Sequence, residues 1–269
     1  MKIDLTDAHK LLASRIGDCL DRAERGELVC GNFLTPGEVA VSREILRERK
    51  NEERAFFFGG YSDAERVRMF ILPSYLSDMD GDAEEKARTY FPDEMACAIK
   101  AIRIEGSGYR KLSHRDYLGS LLSLGIERSS IGDIAVLDDR SAVVFCTDKI
   151  FGFLMSGIDR IASDKVNCSE FFDDGSFAPK KEFLPISDTV ASNRLDCVVG
   201  ALTNLSREKS QIAIRQGLCE VDHLPEDRCD VSISVPCTVS VRGYGKFRVI
   251  SFDGETKRGR IRLIAQKYI

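Results

Sequence analysis

The sequence predicts an α+β chain in three parts: a helical segment over 1–52, a mixed α/β segment over 53–178, and a C-terminal segment over 186–269 with helices packed on a small antiparallel sheet. Three observations support this. Apolar residues recur at helical spacing near the N-terminus and again from Leu195 to Leu202. Short apolar runs separated by polar stretches fill the middle. From Val231 onward, apolar and polar residues alternate between turn signals. With 269 residues, 43% hydrophobic and 30% charged, the chain can bury cores for about two or three domains.

In order along the chain, Thr6-Asp7 caps a first helix with Ala8, Leu11, Leu12, Ile16 and Leu20 inward, and Thr35-Pro36 opens a second through Ile45 and Leu46. Glu48 to Arg54 reads as a charged linker. Strands are expected at 55–58, near Val67 to Leu72, near Ala98 to Ile104, and around Ile134 and Val143, with Asp78 to Lys86 as an acidic loop. Ser113 and Asp116 form a capping signature ahead of an apolar stripe of Leu118, Leu121 and Leu122. Pro179 to Pro185 reads as the linker into the last part.

There, Leu195, Val198, Val199 and Leu202 put one stripe on a helix and leave Arg194 outside it. Asn204-Leu205-Ser206 interrupts the pattern, Ser206 caps a second helix starting at Arg207, and Gly217 stops it. Arg207, Gln211 and Arg215 share one face of that helix. Its N-terminus, with Ser206, Arg207 and Lys209, makes a seat for a phosphate group. Val231 to Val235 and Val239 to Arg242 read as strands, and Phe247, Val249 and Ser251 lie opposite Arg248, Ile250 and Phe252 on another. After an Asp253-Gly254 turn, Arg258, Arg260 and Arg262 project from one face of a last strand as a basic ridge, with Ile261 and Leu263 on the other.

Charge is segregated. Residues 1–186 carry 26 basic and 33 acidic side chains, whereas 187–269 carry 13 and 10, so the C-terminal part is net +3 in a chain of net −4. From 240 to the end eight Lys or Arg, among them Lys246, face two acids. Such a patch suits a polyanion. No apolar run approaches the ~20 residues that span a bilayer, and no signal-peptide core follows Lys2 and Asp4, which points to a cytoplasmic chain. Nine cysteines, odd in number and without Cys-x-x-Cys, support neither a disulfide framework nor a zinc site. His114-Arg115-Asp116 is not a kinase catalytic loop, because Leu121 stands where the metal-binding Asn belongs. At a helix start, His114 and Arg115 could instead face phosphate. Gly243-Tyr244-Gly245-Lys246 lacks the length of a phosphate-binding loop and reads as a turn whose Tyr244 could stack on a base.

The series Arg194-Leu195-Asp196, Asn204-Leu205-Ser206-Arg207, Gly217, Val221-Asp222 and Ser240-Val241-Arg242-Gly243 resembles the RNA-binding domain first seen in small-subunit ribosomal protein S-four. That resemblance implies two helices and a small sheet gripping structured RNA, with roles for Arg194, Ser206, Arg207, Lys209 and Arg242. The chain departs from the pattern at Pro236-Cys237, where Gly-Asp is usual, and at Val221-Asp222-His223, where a Val-Asn-Gly hairpin is usual. Upstream, Phe58-Gly59-Gly60-Tyr61, Ala64-Glu65-Arg66, Leu72-Pro73, Leu112 through Gly119, Leu124-Gly125-Ile126 and Ile131-Gly132-Asp133-Ile134 resemble the YlmH family. This second resemblance covers most of the chain. It implies a bacterial protein with a helical N-terminal region, a middle domain like an RNA-recognition motif and a C-terminal S-four domain. It also implies a role in ribosome-associated quality control, on large subunits obstructed by peptidyl-tRNA, and a link to cell division.

Two rival classes compete with this reading. S-four domains are also fused to pseudouridine synthases and methyltransferases, and Arg194-Leu195-Asp196 resembles the catalytic Arg-Leu-Asp of the former. Here it opens the S-four helix, no second copy lies upstream, no Gly-rich cofactor loop follows a strand, and the three histidines are scattered. A cell-division scaffold would need no basic cluster. The expectation is therefore a non-enzymatic, cytoplasmic RNA-binding protein without cofactor, metal, catalytic residue or membrane contact. It would bind ribosomal RNA of the large subunit and transfer RNA as peptidyl-tRNA, reading shape. Arg194, Arg207, Lys209 and Arg242 would contact phosphates and Ser206 would seat one. Arg215 and Lys246 add charge, and Arg258, Arg260 and Arg262 extend the footprint. Changing Arg194 and Arg207 to alanine is expected to abolish large-subunit binding with the fold intact.

Overall fold

A computed structural model of the chain describes residues 7–179, 183–255 and 259–268. The chain divides into two compact units, Met1–Pro179 and Lys180–Ile269.

The first unit opens with α1 (Asp7–Ala23), β1 (Val29–Leu34) and α2 (Pro36–Glu48). Leu12, Ile16 and Leu20 are buried as expected, but Leu11 faces solvent. Thr6 and the side chain of Ala8 lie outside the described residues. Thr35 and Glu38 close a capping box at the start of α2, and Ile45 and Leu46 are buried along it. β2 (Ala55–Phe58) and β3 (Val67–Ile71) follow, and β3 pairs with both β1 and β2 in an antiparallel sheet of order β1-β3-β2. The expected boundary at 52/53 therefore falls within one sheet: β1, unforeseen in the 1–52 segment, hydrogen-bonds to a strand beyond it. The acidic stretch after Asp78 is not all loop. Asp82 and Glu85 make a capping box that starts α3 (Ala83–Tyr90), followed by α4 (Pro92–Ala98).

Next come β4 (Ile99–Gly106), α5 (His114–Ser123), β5 (Ile131–Val136), β6 (Ser141–Thr147), α6 (Asp148–Gly157), β7 (Arg160–Ile161) and β8 (Asp164–Glu170). Their antiparallel sheet has the order β5-β6-β4-β8-β7. With α5 and α6 between the strands this is a βαββαβ arrangement, as in an RNA-recognition motif. Both helices cover one face of the sheet, around Ile102, Ile104, Tyr117, Leu121, Val144 and Leu154. In α5 the expected stripe shifts by one position: Tyr117 is fully buried and Leu122 is exposed.

The second unit runs β9 (Phe183–Val190), α7 (Leu195–Thr203), α8 (Arg207–Arg215), β10 (Cys219–Val221), β11 (Leu224–Pro225), β12 (Cys237–Val241), β13 (Gly245–Glu255) and β14 (Ile261–Tyr268). The sheet order is β11-β10-β12-β13-β14-β9. Pro185 belongs to β9 rather than to a linker, and an edge strand tolerates its missing N–H. Both helices pack on one face, where Leu195, Val198, Val199, Leu202 and Ile214 meet Val239, Val241, Phe247, Val249 and Leu263.

Three expected features of this unit change. Val231–Val235 is not a strand. It makes a single bridge, Ser232 to Arg194, and together with the preceding Cys229 it serves the start of α7: Leu195 N donates to Val231 O at 2.8 Å and Asp196 N to Cys229 O at 3.0 Å. The alternation along β13 breaks at a bulge between Val249 and Ser251, so Phe252 packs against the core although the sequence placed it outward. Asp253-Gly254 is not the turn. β13 continues through it to Glu255 with a second irregularity there, which the positive φ of Gly254, +55°, accommodates.

Candidate nucleic-acid interface

The S-four-like motif is organised around one carboxylate. Asp196 sits in the first turn of α7 with its side chain fully shielded from solvent, and three donors converge on it. Arg194 Nε and Nη2 reach Oδ1 and Oδ2 at 3.1 and 3.2 Å, Arg207 Nε reaches Oδ2 at 3.3 Å, and Gln211 Nε2 reaches Oδ2 at 2.8 Å. Burial alone would push this carboxyl up. The hydrogen bonds from Arg194, Gln211 and Arg207, with the charge of Arg194, overcome it and hold the group well below the usual carboxylate range. The i, i+4 spacing of Arg207 and Gln211 puts both on the α8 face that meets the start of α7.

This geometry sets how the arginines are displayed. Arg207 spends only Nε on Asp196 and its side chain is 67% exposed, so the outer edge of its guanidinium is turned to solvent in a fixed orientation. Arg194, 38% exposed, is held on the same anchor. Removing both is expected to disturb the fold as well as RNA contact, because both are hydrogen-bonded to a shielded carboxylate.

Ser206 caps α8, its hydroxyl accepting from Lys209 N at 3.4 Å. The capped helix start expected there is present, and Glu208 in its first turn offsets part of the helix-end potential. Lys209 and Arg215 are exposed on α8. Arg242, also exposed, follows β12, and its backbone N–H donates to Leu218 O at 2.8 Å just beyond the end of α8. Arg242 and Lys246 flank a shallow groove of about 300 Å³ with Gly217, Glu220 and Ser240. The Asp222-His223 hairpin departs from the usual residues but keeps the shape: both have positive φ, 48° and 67°, between the paired residues Val221 and Leu224.

The basic ridge of the last strand is only partly as expected. Arg258 lies outside the described residues. Arg260 precedes β14 and donates from Nε to Thr189 Oγ1 at 3.0 Å and from Nη2 to Thr189 O, so it staples β9 to the start of β14. Arg262 is exposed on β14 and points away from the helices.

Sequence reasoning missed what the upstream motifs do. Asp133 Oδ2 accepts from Tyr61 Oη at 2.7 Å and Glu65 N at 2.7 Å, and Oδ1 accepts from Arg66 N at 3.0 Å. Arg66 in turn donates from Nε to Ile131 O at 3.1 Å, and Arg128 Nη1 to Ile131 O at 2.6 Å. Thus Gly-Gly-Tyr, Ala-Glu-Arg and Ile-Gly-Asp-Ile form one clamp between the two sheets of the first unit. Gly132 is needed for closeness: a Cβ there would lie 2.6 Å from the Phe33 ring. Burial, followed by the charge of and hydrogen bond to Asp133, pushes the Tyr61 phenol far up.

The clamp also decides what the βαββαβ sheet can offer. An RNA-recognition motif stacks bases on the sheet face opposite its helices. Here that face bears Ala101, Val143 and Phe145, and it is covered by Phe33 and Tyr61. Phe177 adds to the cover, 5.4 Å from the Tyr61 ring, 5.8 Å from Phe145 and 5.1 Å from Phe171. The aromatic side chains of this face are spent on packing. His114 and Arg115 at the start of α5 remain exposed.

All nine cysteines are free thiols, four of them buried, with burial raising Cys30, Cys146, Cys219 and Cys237 to about 12. Among the described residues no helix is long and apolar enough to cross a membrane, and no three His, Cys, Asp or Glu side chains converge as a metal would require.

Comparison with known proteins gives matches over both units. Residues 9–76 match a family model described as "YlmH, N-terminal", and residues 92–172 one described as "Putative RNA-binding domain in YlmH". The chain is 25% identical over 240 residues to the ribosome-associated protein quality control protein P2 of Bacillus subtilis (strain 168), covering 88% of this chain and 86% of that protein. Among solved structures it is similar to the cell division protein ylmH from Streptococcus pneumoniae, with 15% identity and a TM-score of 0.49. That match covers 64% of this chain and 96% of the other.

Proposed function

The chain belongs to the YlmH family, and from that membership we propose that it is an RNA-binding protein acting in ribosome-associated quality control. It docks on the large ribosomal subunit through ribosomal RNA and the transfer RNA of an obstructing peptidyl-tRNA. The observation that carries the reading is the Asp196 anchor, which fixes two partly exposed arginines beside the capped start of α8 in a positively charged unit. Guanidiniums oriented by a buried carboxylate suit phosphates of a structured RNA, whose shape rather than base sequence is read. The name of the Bacillus relative, with matching lengths on both sides, supports the quality-control role and with it a place in the cytoplasm.

The test uses residues that can be changed without touching the anchor. Lys209→Ala, Arg215→Ala and Arg242→Ala together are expected to lower co-sedimentation with large subunits at least tenfold at 150 mM salt, and to flatten the salt dependence by about 2–3 in log–log slope. Unchanged sedimentation would remove the helix side from the interface.

The enzymatic alternative has little support in the geometry. A nucleophilic Asp must present an oxygen to its substrate, whereas the side chain of Asp196 is fully shielded and bonded three times over. Mass spectrometry of RNA incubated with the pure chain is expected to show no new modified nucleoside, and the appearance of one would reverse this reading.

A further inference from the structure

Strand alternation divides the cations of the second unit between two opposite faces. Val239, Val241, Phe247, Val249, Leu263 and Ala265 point to the helices. Their neighbours Ser240, Lys246, Arg248, Arg262 and Gln266 therefore point the other way. Register places Lys246 beside Ser240, Arg248 between Thr238 and Gln266, and Arg262 between Asp253 and Thr189.

We infer that this outer sheet face is a second RNA-binding surface, separate from the Asp196-anchored surface on the helix side, so that one C-terminal unit holds two RNA segments at once. The inference rests on the RNA-binding reading above and extends it to a site that the S-four motif does not include.

Four features of the face fit an RNA strand. Lys246, Arg248 and Arg262 span a row of about 20 Å, counting strand rise. Arg248 and Arg262 are exposed and make no hydrogen bond or ion pair with a described residue, unlike Arg194 and Arg207, and of the two only Arg262 has an acid, Asp253, directly across the strand pair. An aromatic platform closes one end of the row: Lys246 Nζ lies 4.7 Å over the Tyr268 ring, and Phe183 packs edge-on against that ring at 4.9 Å. Exposed Ile250 gives an apolar spot between the cations. Cations interleaved with aromatic and apolar contacts bind a sugar-phosphate backbone while resting its bases. Glu220 and Asp253 mark the two ends of the positive row. An anionic lipid surface fits less well, since a flat sheet with one exposed apolar side chain between its cations has little to insert.

The full chain would be mixed with a biotin-tagged RNA hairpin on a surface and a fluorescent copy of the same hairpin in solution, and capture of the fluorescent copy measured. Three proteins would be compared: the unchanged chain, Arg248→Ala/Arg262→Ala, and the milder Arg248→Gln/Arg262→Gln, both of which keep Lys246, a lining residue of the groove beside Arg242, and its contact with Tyr268 in place. The unchanged chain is expected to bridge the two hairpins. Both variants should still bind the tagged hairpin but capture at least tenfold less of the second, and each should lose about 2 units of salt slope. Bridging and slope unchanged in both variants would overturn this inference alone, whereas an unchanged chain that binds neither hairpin overturns it together with the RNA-binding reading. Variant-sensitive co-sedimentation with phosphatidylglycerol vesicles, with RNA bridging intact, would overturn it in favour of a lipid partner.

Discussion

Changing Arg194 and Arg207 together to alanine is expected to destabilise the second unit, because a shielded carboxylate then loses two of its three partner residues. The two arginines are themselves 38% and 67% exposed, so water close at hand moderates the loss. What remains for the carboxylate is Gln211, a single neutral donor. Hydrogen–deuterium exchange of 195–215 measures this directly, and protection equal to that of the unchanged chain would show the anchor to be dispensable. Adding Asp196→Asn to the double variant should recover much of the loss, because it removes the uncompensated charge. The pH dependence has a definite sign. In the unchanged chain the Asp196 pKa is depressed, so its contribution is full above the unfolded value, near 4, and fades as pH falls through the folded one. Without the arginines, burial dominates and raises the pKa, so the deficit of the double variant should be largest at neutral pH and shrink as the carboxyl takes up a proton. Loss of RNA binding in that variant would not by itself identify phosphate contacts.

Asp133→Ala is expected to cost about 3–5 kcal/mol in the first unit. It leaves two main-chain N–H groups and the Tyr61 hydroxyl without their acceptor, at about 1–3 kcal/mol for each group that stays dry. Tyr61→Phe, which removes only one donor together with its need, should cost about 1 kcal/mol. Urea unfolding of the full chain, followed by exchange in 59–66 and 131–136, separates the two variants. Equal and small effects would mean that the clamp is ornamental and that its glycines serve something else.

These two predictions also mark what could be read from the chain. The α7–α8 pair, the caps at Thr35, Ser113 and Ser206, and the stop at Gly217 follow from rules that act within four or five residues, and each was legible. β1 was not, because Val29 to Leu34 has no alternation and carries an irregularity between Cys30 and Phe33 in its pairing with β3. The outward face expected of Phe252 failed because a bulge shifts parity without any marker in sequence. Val231 to Val235 alternates as a strand does, yet its Val231 carbonyl is taken by the first N–H of α7, a contact between residues 36 positions apart that no local rule detects. At the site, the residue types of the RNA surface were legible, whereas their division between two faces and the joint dependence of Arg194 and Arg207 on Asp196 needed three dimensions. The Ile-Gly-Asp-Ile segment identified a family without indicating that its aspartate works as an acceptor for a tyrosine 72 positions earlier.

The pairing of β9 with β14 has a consequence in time. The first strand of the second unit finds its partner only in the last, and the innermost pair, Val190 with Ile261, closes a loop of about 70 residues. Until β14 has been synthesised, Val190 and Ile186 lack the strand that shields them, while α7 and α8 can already form by local contacts. The unit should therefore mature in a single late step, slow as long-range strand pairings are. A chain interrupted before β14 would display a helical pair with an unfinished sheet, whose open edge invites mispairing.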